Sequence, residues 1–137
     1  MKLLLISVFT LGISLGTQTE HYTPQTDPLK ESIARGSEIY ADFCMNCHLP
    51  NGEGVAEVYP PLAKSDYLME NREASIRGLK YGLEGEIIVN GKTYNSAMAA
   101  LGLSDDEVAD VMNYITNSWG NKNDVIVTED EVSKIKK

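Results

Sequence analysis

The chain has 137 residues, 42% hydrophobic and 23% charged, which gives room for one ordinary domain with a packed core. A formal charge of −8 argues against nucleic acid as a partner, because nucleic acid selects basic surfaces. Two cysteines are too few for a disulfide-stapled scaffold or for a four-thiolate zinc site.

The first elements read as an export signal. Lys2 supplies a positive start, and Leu3 to Leu15 is a mostly apolar run. Ser14-Leu15-Gly16 places small residues where a signal peptidase cuts, so residues 1–16 are expected to be a signal peptide. The run is shorter than the roughly 20 apolar residues of a membrane span, so no stable span is expected in the mature chain. Residues 17–27 are polar and without periodicity, a leader. Asp27-Pro28 is a helix-start pair, and Leu29, Ile33, Gly36, Ile39, Tyr40 and Phe43 recur at helical spacing, predicting a helix over 28–43. Pro50, Gly52, Gly54, Pro60 and Pro61 make 49–61 a loop.

A short helical turn is expected within 62–68, and a second helix over 72–82. Ile87-Ile88-Val89, Asn90-Gly91 and Lys92-Thr93-Tyr94 predict a small hairpin with a type I′ turn. Ser104 to Glu107 reads as a capping box. Behind it Val108, Val111, Met112 and Ile115 share a helical face, and the helix is expected to end near Trp119 and Gly120. The remaining tail, 121–137, carries a β-like Val125-Ile126-Val127 and a second capping box at Thr128 to Glu131 that starts a short helix. Long loops are costly for so small a core, because they carry backbone groups that need partners and bury little apolar surface. A large apolar prosthetic group would give those loops something to wrap.

Cys44-Met45-Asn46-Cys47-His48 is a C-x-x-C-H run, the attachment pattern of a c-type haem. Thiols three residues apart can each reach one vinyl group of a porphyrin, and the adjoining His48 can supply an imidazole to the iron. A redox dithiol of the thioredoxin kind needs a βαβ context, and here a helix precedes the pair and a Gly/Pro loop follows. A second axial ligand must come from elsewhere. His21 lies in the polar leader, Met45 lies inside the motif, and Met112 is on the apolar face of the last helix, where it reads as core. Met69 is available but follows closely on the apolar turn at Leu68. Met98, in the small-residue loop 95–102, has the least reason to be core and is the expected ligand. Thioether ligation favours ferrous iron, and two filled axial sites suit electron transfer better than catalysis.

These residues resemble the class I, single-haem cytochrome c family, in particular its small bacterial periplasmic members. The likeness spans most of 30–120. Gly36 and Tyr40 are similar to the family's Gly and aromatic on the N-terminal helix, and Tyr114 to the aromatic that crosses them. Pro60-Pro61-Leu62 resembles the family's P-x-L segment. By that likeness the Pro60 carbonyl would accept from His48 Nδ1, and Leu62 would pack on the haem. Tyr94 to Met98 is similar to the family's Met-ligand loop, although Ala99 stands where many members have Pro. The resemblance implies an all-α fold, three main helices and long loops around one covalent haem c, in a domain spanning 28–120. It implies a non-enzymatic single-electron carrier in the periplasm or another exported space, serving redox proteins such as a dehydrogenase, a reductase or an oxidase.

Two alternatives belong beside that reading. One is a haem-based ligand-binding or sensor module, if the Met98 bond is weak; the other is an electron-transfer subunit of a larger oxidoreductase. Lys64, Lys80 and Lys92 are candidates to surround a haem edge, and Glu84, Glu86, Asp105, Asp106, Glu107 and Asp110 are candidates to steer a partner with a basic patch. Trp119 reads as a packing residue rather than an electron relay.

Overall fold

The structure, a computed structural model, describes residues 27–137. The expected signal peptide, most of the polar leader, and His21 lie outside the described residues. The order is α1 (Pro28–Phe43), α2 (Met45–His48), α3 (Asp66–Glu70), α4 (Arg72–Tyr81), β1 (Ile87–Val89), β2 (Lys92–Tyr94), α5 (Asp105–Ile115) and α6 (Glu129–Lys134). The fold is mostly helical, with one small antiparallel hairpin.

Helix α1 starts where the sequence signals. The Asp27 side chain accepts from Leu29 N (3.1 Å) and Lys30 N (3.5 Å), and Pro28 opens the helix. Its crossing with α5 is the main helix contact. A Cβ on Gly36 would sit 2.0 Å from the Asp110 carbonyl oxygen and 2.8 Å from Tyr114 Cβ, so only glycine lets the two backbones approach this closely. One turn on, Tyr40 packs its ring against Tyr114 (5.4 Å between centroids) and Trp119 (4.9 Å), and Trp119 meets Tyr114 edge-on. The Trp119 indole also lies over Gly52, where a Cβ would meet the ring at 2.5 Å. Trp119 is therefore a packing residue, as read. A polar network closes the other side of the crossing. Asp110, 7% exposed, accepts from Ser32 Oγ (2.6 Å) and twice from the Arg35 guanidinium (2.6 and 2.8 Å).

Helix α5 has both halves of its capping box, with the Glu107 carboxylate accepting from Ser104 N (2.8 Å). Val108, Val111, Met112 and Ile115 are all buried, as their spacing predicts. The helix ends at Ile115, short of the expected Trp119. Thr116, Asn117 and Ser118 turn their side chains back onto the carbonyls of Met112, Asn113 and Tyr114, which satisfies the last turn and stops it. The 62–68 turn also moves: Ser65 caps a helix that runs over Asp66–Glu70. In the hairpin, Asn90 (φ 52°) and Gly91 (φ 74°) both have positive φ, and Ile87 pairs with Tyr94. Asp66 and Asn90 exchange two side chain–backbone bonds that dock the hairpin on α3.

The tail departs furthest from expectation. Val125-Ile126-Val127 is not a strand. Its backbone is satisfied by side chains instead: Arg72 donates to the Val125 and Ile126 carbonyls, and Asn113 bonds both Val127 N and Val127 O. The second capping box is half made. Thr128 Oγ1 accepts from Glu131 N, but the Glu131 carboxylate is held by Arg72. Val127 (2% exposed) and Val132 (0%) join the main core, so residues 121–137 are packed against the helices rather than appended to them.

Candidate functional site

One apolar cavity of about 340 Å³ opens between the loop after α2, helix α4, the inner face of the hairpin and the loop before α5. Cys44, Cys47, His48, Pro60, Leu62 and Met98 all line it, so the six residues singled out from the sequence meet in one place.

Each is positioned by local chemistry. Cys44 caps α1 and begins α2, so Cys47 and His48 come round on a single helical turn. Tyr40, buried in the aromatic cluster, donates from its hydroxyl to the Leu49 carbonyl (2.6 Å) and fixes the chain just past His48. Leu49 then takes a positive φ of 65° and turns the backbone into the loop. His48 Nδ1 lies 3.0 Å from the Pro60 carbonyl oxygen, so Nδ1 carries the proton and donates, leaving Nε2 as the free ring nitrogen. Burial pushes the His48 pKa down, partly offset by that bond, which keeps the ring neutral and able to ligate. The Pro60 segment is held by a glycine. Gly54 has φ 65°, and a Cβ there would meet the Tyr59 and Pro60 backbone at 2.4–2.7 Å. Leu62 and Ala63 both donate to the Gly52 carbonyl (2.7 and 2.8 Å).

Met98 is anchored by its own backbone. It exchanges two hydrogen bonds with Leu83 (2.8 Å each) in an isolated antiparallel bridge. Its side chain reaches α4 at Gly78, where a Cβ would lie 3.9 Å from Met98 Cε. The absent Pro at position 99 is thus replaced by a two-bond clamp. Met112 also lines the cavity, 0% exposed within α5, in the core role read for it. Met69 is 36% exposed and does not line the cavity.

The two thiols are unpaired with each other. Burial, then the neighbouring Cys47, pushes the Cys44 pKa up to about 11, so it is a neutral thiol at physiological pH. A redox dithiol needs the opposite shift. The lining is largely apolar and brings two thiols and an imidazole to one place, which suits a flat apolar group held through them. One further atom fits that group. Ser75 Oγ, buried on the cavity face of α4 one turn before Gly78, is the one buried side-chain polar atom without a partner among the described residues. Such a hydroxyl calls for an acceptor that the chain does not provide, and a haem carries carboxylates.

The charges read from sequence sort differently. Lys80 is tied to Asp105 (2.7 Å) and the Val132 carbonyl (3.0 Å), and the Lys64 side chain packs beside Gly120. Asp110 is buried in its network and Glu107 is spent on capping, so neither is free to steer a partner. None of the three lysines and none of the six acids lines the cavity.

Fold and site together define a small helical protein wrapped around a covalently attached tetrapyrrole. The family model described as Cytochrome c matches residues 33–119, and the chain belongs to the cytochrome c family. It is 39% identical over 112 residues to cytochrome c-552 of Thermus thermophilus, covering 75% of this chain and 85% of that protein. It is 33% identical over 105 residues to the cytochrome c subunit of the quinone alcohol dehydrogenase of Gluconacetobacter polyoxogenes, and 32% identical over 107 residues to the gluconate 2-dehydrogenase cytochrome c subunit of Pantoea cypripedii. The chain spans about a fifth to a quarter of those two subunits (22% and 24%). The protein binds one covalent haem c and transfers electrons, as a carrier or as an electron-transfer subunit. The sensor alternative is not favoured.

Proposed function

We propose that the protein is an exported single-electron carrier, not a catalyst, with His48 and Met98 as the two axial ligands and Cys44 and Cys47 as thioether anchors. The observation that carries this reading is that His48 and Met98 face one apolar cavity that also holds both thiols. When bound, the haem supplies a one-electron ferric/ferrous couple. The chain's own residues set the conditions for it. Pro60 holds His48 by Nδ1, so Nε2 is the ring nitrogen left to bind iron, and the ligand would gain basicity. Leu62, Leu68, Leu79 and Ile115 exclude water from the cavity, and the clamp on Leu83 keeps the Met98 sulfur available to the iron. A thioether ligand from Met98 would favour the ferrous state and raise the potential. Its donor and acceptor are redox proteins of the exported space, a dehydrogenase, reductase or oxidase. The described residues contain no helix long and apolar enough to cross a membrane.

The test is the visible spectrum of the exported protein from a host that attaches haem c. The expected result is a covalent haem with the weak far-red band of thioether on ferric iron, and a ferrous spectrum unchanged by carbon monoxide. A covalent haem without that band, binding carbon monoxide, would transfer the reading to the sensor class.

A further inference from the structure

The unpartnered Ser75 hydroxyl has no acceptor within the chain. Its Oγ is buried in the cavity lining, where a hydroxyl left unpaired is costly. The usual acceptor for a helical serine is the carbonyl four residues back. Here that is Asn71, which accepts from Ser75 N (2.9 Å) but not from Ser75 Oγ. The Met98 sulfur does not accept from it either; the Met98 methyl lies one turn further along α4, at Gly78. The acceptor must therefore come with whatever fills the cavity.

A haem c offers few choices. Its ring nitrogens hold the iron, and its two former vinyl groups are spent on thioethers. Its two carboxylates are the strong acceptors left. The placement agrees with this. Vinyl and carboxylate groups stand on opposite halves of the porphyrin. The thiols lie at α2, which packs on α1, whereas Ser75 lies on α4, which packs on α3 and α5.

No cation of the chain competes for the carboxylates. Among the described residues no Asp, Glu, Lys or Arg lines the cavity. The charges of α4 are paired elsewhere: Arg72 with Glu131, Arg77 with Glu73, and Lys80 with Asp105 of α5. On α3, the Asp66 carboxylate accepts from Asn90 N, and neither Asp66 nor Glu70 is in the lining. The remaining groups that face the cavity with a hydroxyl are Tyr59, Ser65, Tyr67, Tyr94 and Ser96. Ser65 Oγ already caps α3 through Leu68 N. A haem carboxylate in this cavity must be served by neutral donors.

We propose that the Ser75 hydroxyl donates to one of the two haem carboxylates, and so sets how far the pH must fall before the reduction potential responds to acid. This rests on the covalent haem and on Cys44 and Cys47 as its anchors. A hydrogen bond given to the ionised form lowers the proton affinity of a carboxyl. An ionised carboxylate near the iron favours the ferric state, so its protonation raises the potential. Ser75 delays that rise to lower pH. It is a positioning residue and takes no part in the electron step.

The test uses the holoprotein from cells fed aminolevulinate with carbon-13 at its carboxyl, which labels the two haem carboxyls and no other haem carbon. In the diamagnetic ferrous state each carboxyl gives a signal whose titration can be followed. Ser75→Ala substitutes a better helix former and removes an unpartnered group, so the variant should fold. It should raise the midpoint of one carboxyl by about one pH unit, a tenfold gain in proton affinity, and move the other by less than about 0.3 unit. The acid rise of the reduction potential should move up in pH with the first. No movement of either carboxyl would mean that a buried water or the ring face serves Oγ, and would overturn the proposal. Equal movement of both, or a fall in the midpoint, would show a packing role and overturn it too. Absence of both labelled signals from the purified, unaltered protein would instead overturn the covalent haem, and this proposal with it.

Discussion

At the scale of the residue, Met98 is held by hydrogen bonds rather than by a proline. Its two bonds to Leu83 are made by the backbone and do not use the side chain, so the clamp and the sulfur are separable. Met98→Ala should therefore fold, lose the far-red band, bind carbon monoxide in the ferrous state and fall in reduction potential. Met112→Leu, a volume-conserving change in the core, should keep the band and cost less than about 1.5 kcal/mol. A spectrum and a thermal melt of each variant check both. If Met112→Leu lost the band instead, the ligand would be misassigned. Cys44, Cys47 and His48 were legible as candidates because of their spacing, and the structure brings them to one cavity. The Pro60 contact came through resemblance, and the structure places it at 3.0 Å. Ser75 was not legible, because one serine in an amphipathic helix carries no pattern. Only the loss of every partner marks it.

At the scale of the element, the α1–α5 crossing depends on one missing side chain. Ala is ordinarily the better helix former than Gly by up to about 1 kcal/mol, so Gly36→Ala would stabilise an isolated α1. Here the added Cβ meets backbone at 2.0 Å, and overpacking against an immovable carbonyl wins. The expected outcome is a net loss of roughly 1–3 kcal/mol in denaturant unfolding. The contact of α6 with α4 has a pH signature. The Arg72 guanidinium holds the Glu131 carboxyl below its ordinary value of 4.5. A depressed carboxylate contributes stability above its unfolded pKa and loses it as pH falls through the folded value. The difference in melting temperature between the protein and Glu131→Gln should be constant near neutrality and shrink below about pH 4.5, its size reduced because both partners are part-exposed. A gap that did not narrow at all as pH fell below about 4.5 would show that the pair is not its source. The helices α1, α4, α5 and α6 were legible, since caps and periodicity are local, whereas the single turn α2 inside the attachment run was not. The end of α5 and the course of 125–127 were not. The end of α5 is decided by three neighbouring side chains, Thr116, Asn117 and Ser118, that fold back on its last carbonyls, and the course of 125–127 by side chains from distant positions, Asn113 and Arg72, that take over its backbone hydrogen bonds.

At the scale of the whole molecule, the cavity is as much a part of the core as the helices. Leaving about 340 Å³ dry and empty would cost on the order of 8 kcal/mol, comparable with the entire stability of an ordinary domain. A chain with Cys44→Ala and Cys47→Ala, expressed where haem cannot be attached, should show little near-ultraviolet circular dichroism and no cooperative melt. A sharp two-state transition in that variant would mean that the helices suffice without the prosthetic group. The need for such a group was legible from the ratio of loop to core. The shape of the surface around it was not, because exposure depends on which loops meet. The feature with the widest reach is α4. Its outer side grips the tail through Arg72 on Glu131, Arg77 on the Lys136 carbonyl, Lys80 on the Val132 carbonyl and Tyr81 on the Ile135 carbonyl, while its inner side touches the Met98 methyl at Gly78. The far end of the polypeptide is thereby wired to pigment. Mild urea that frees the last seventeen residues before global unfolding should bleach the far-red band while the covalent haem stays in place, so that the colour of the solution reports whether the C-terminus is fastened.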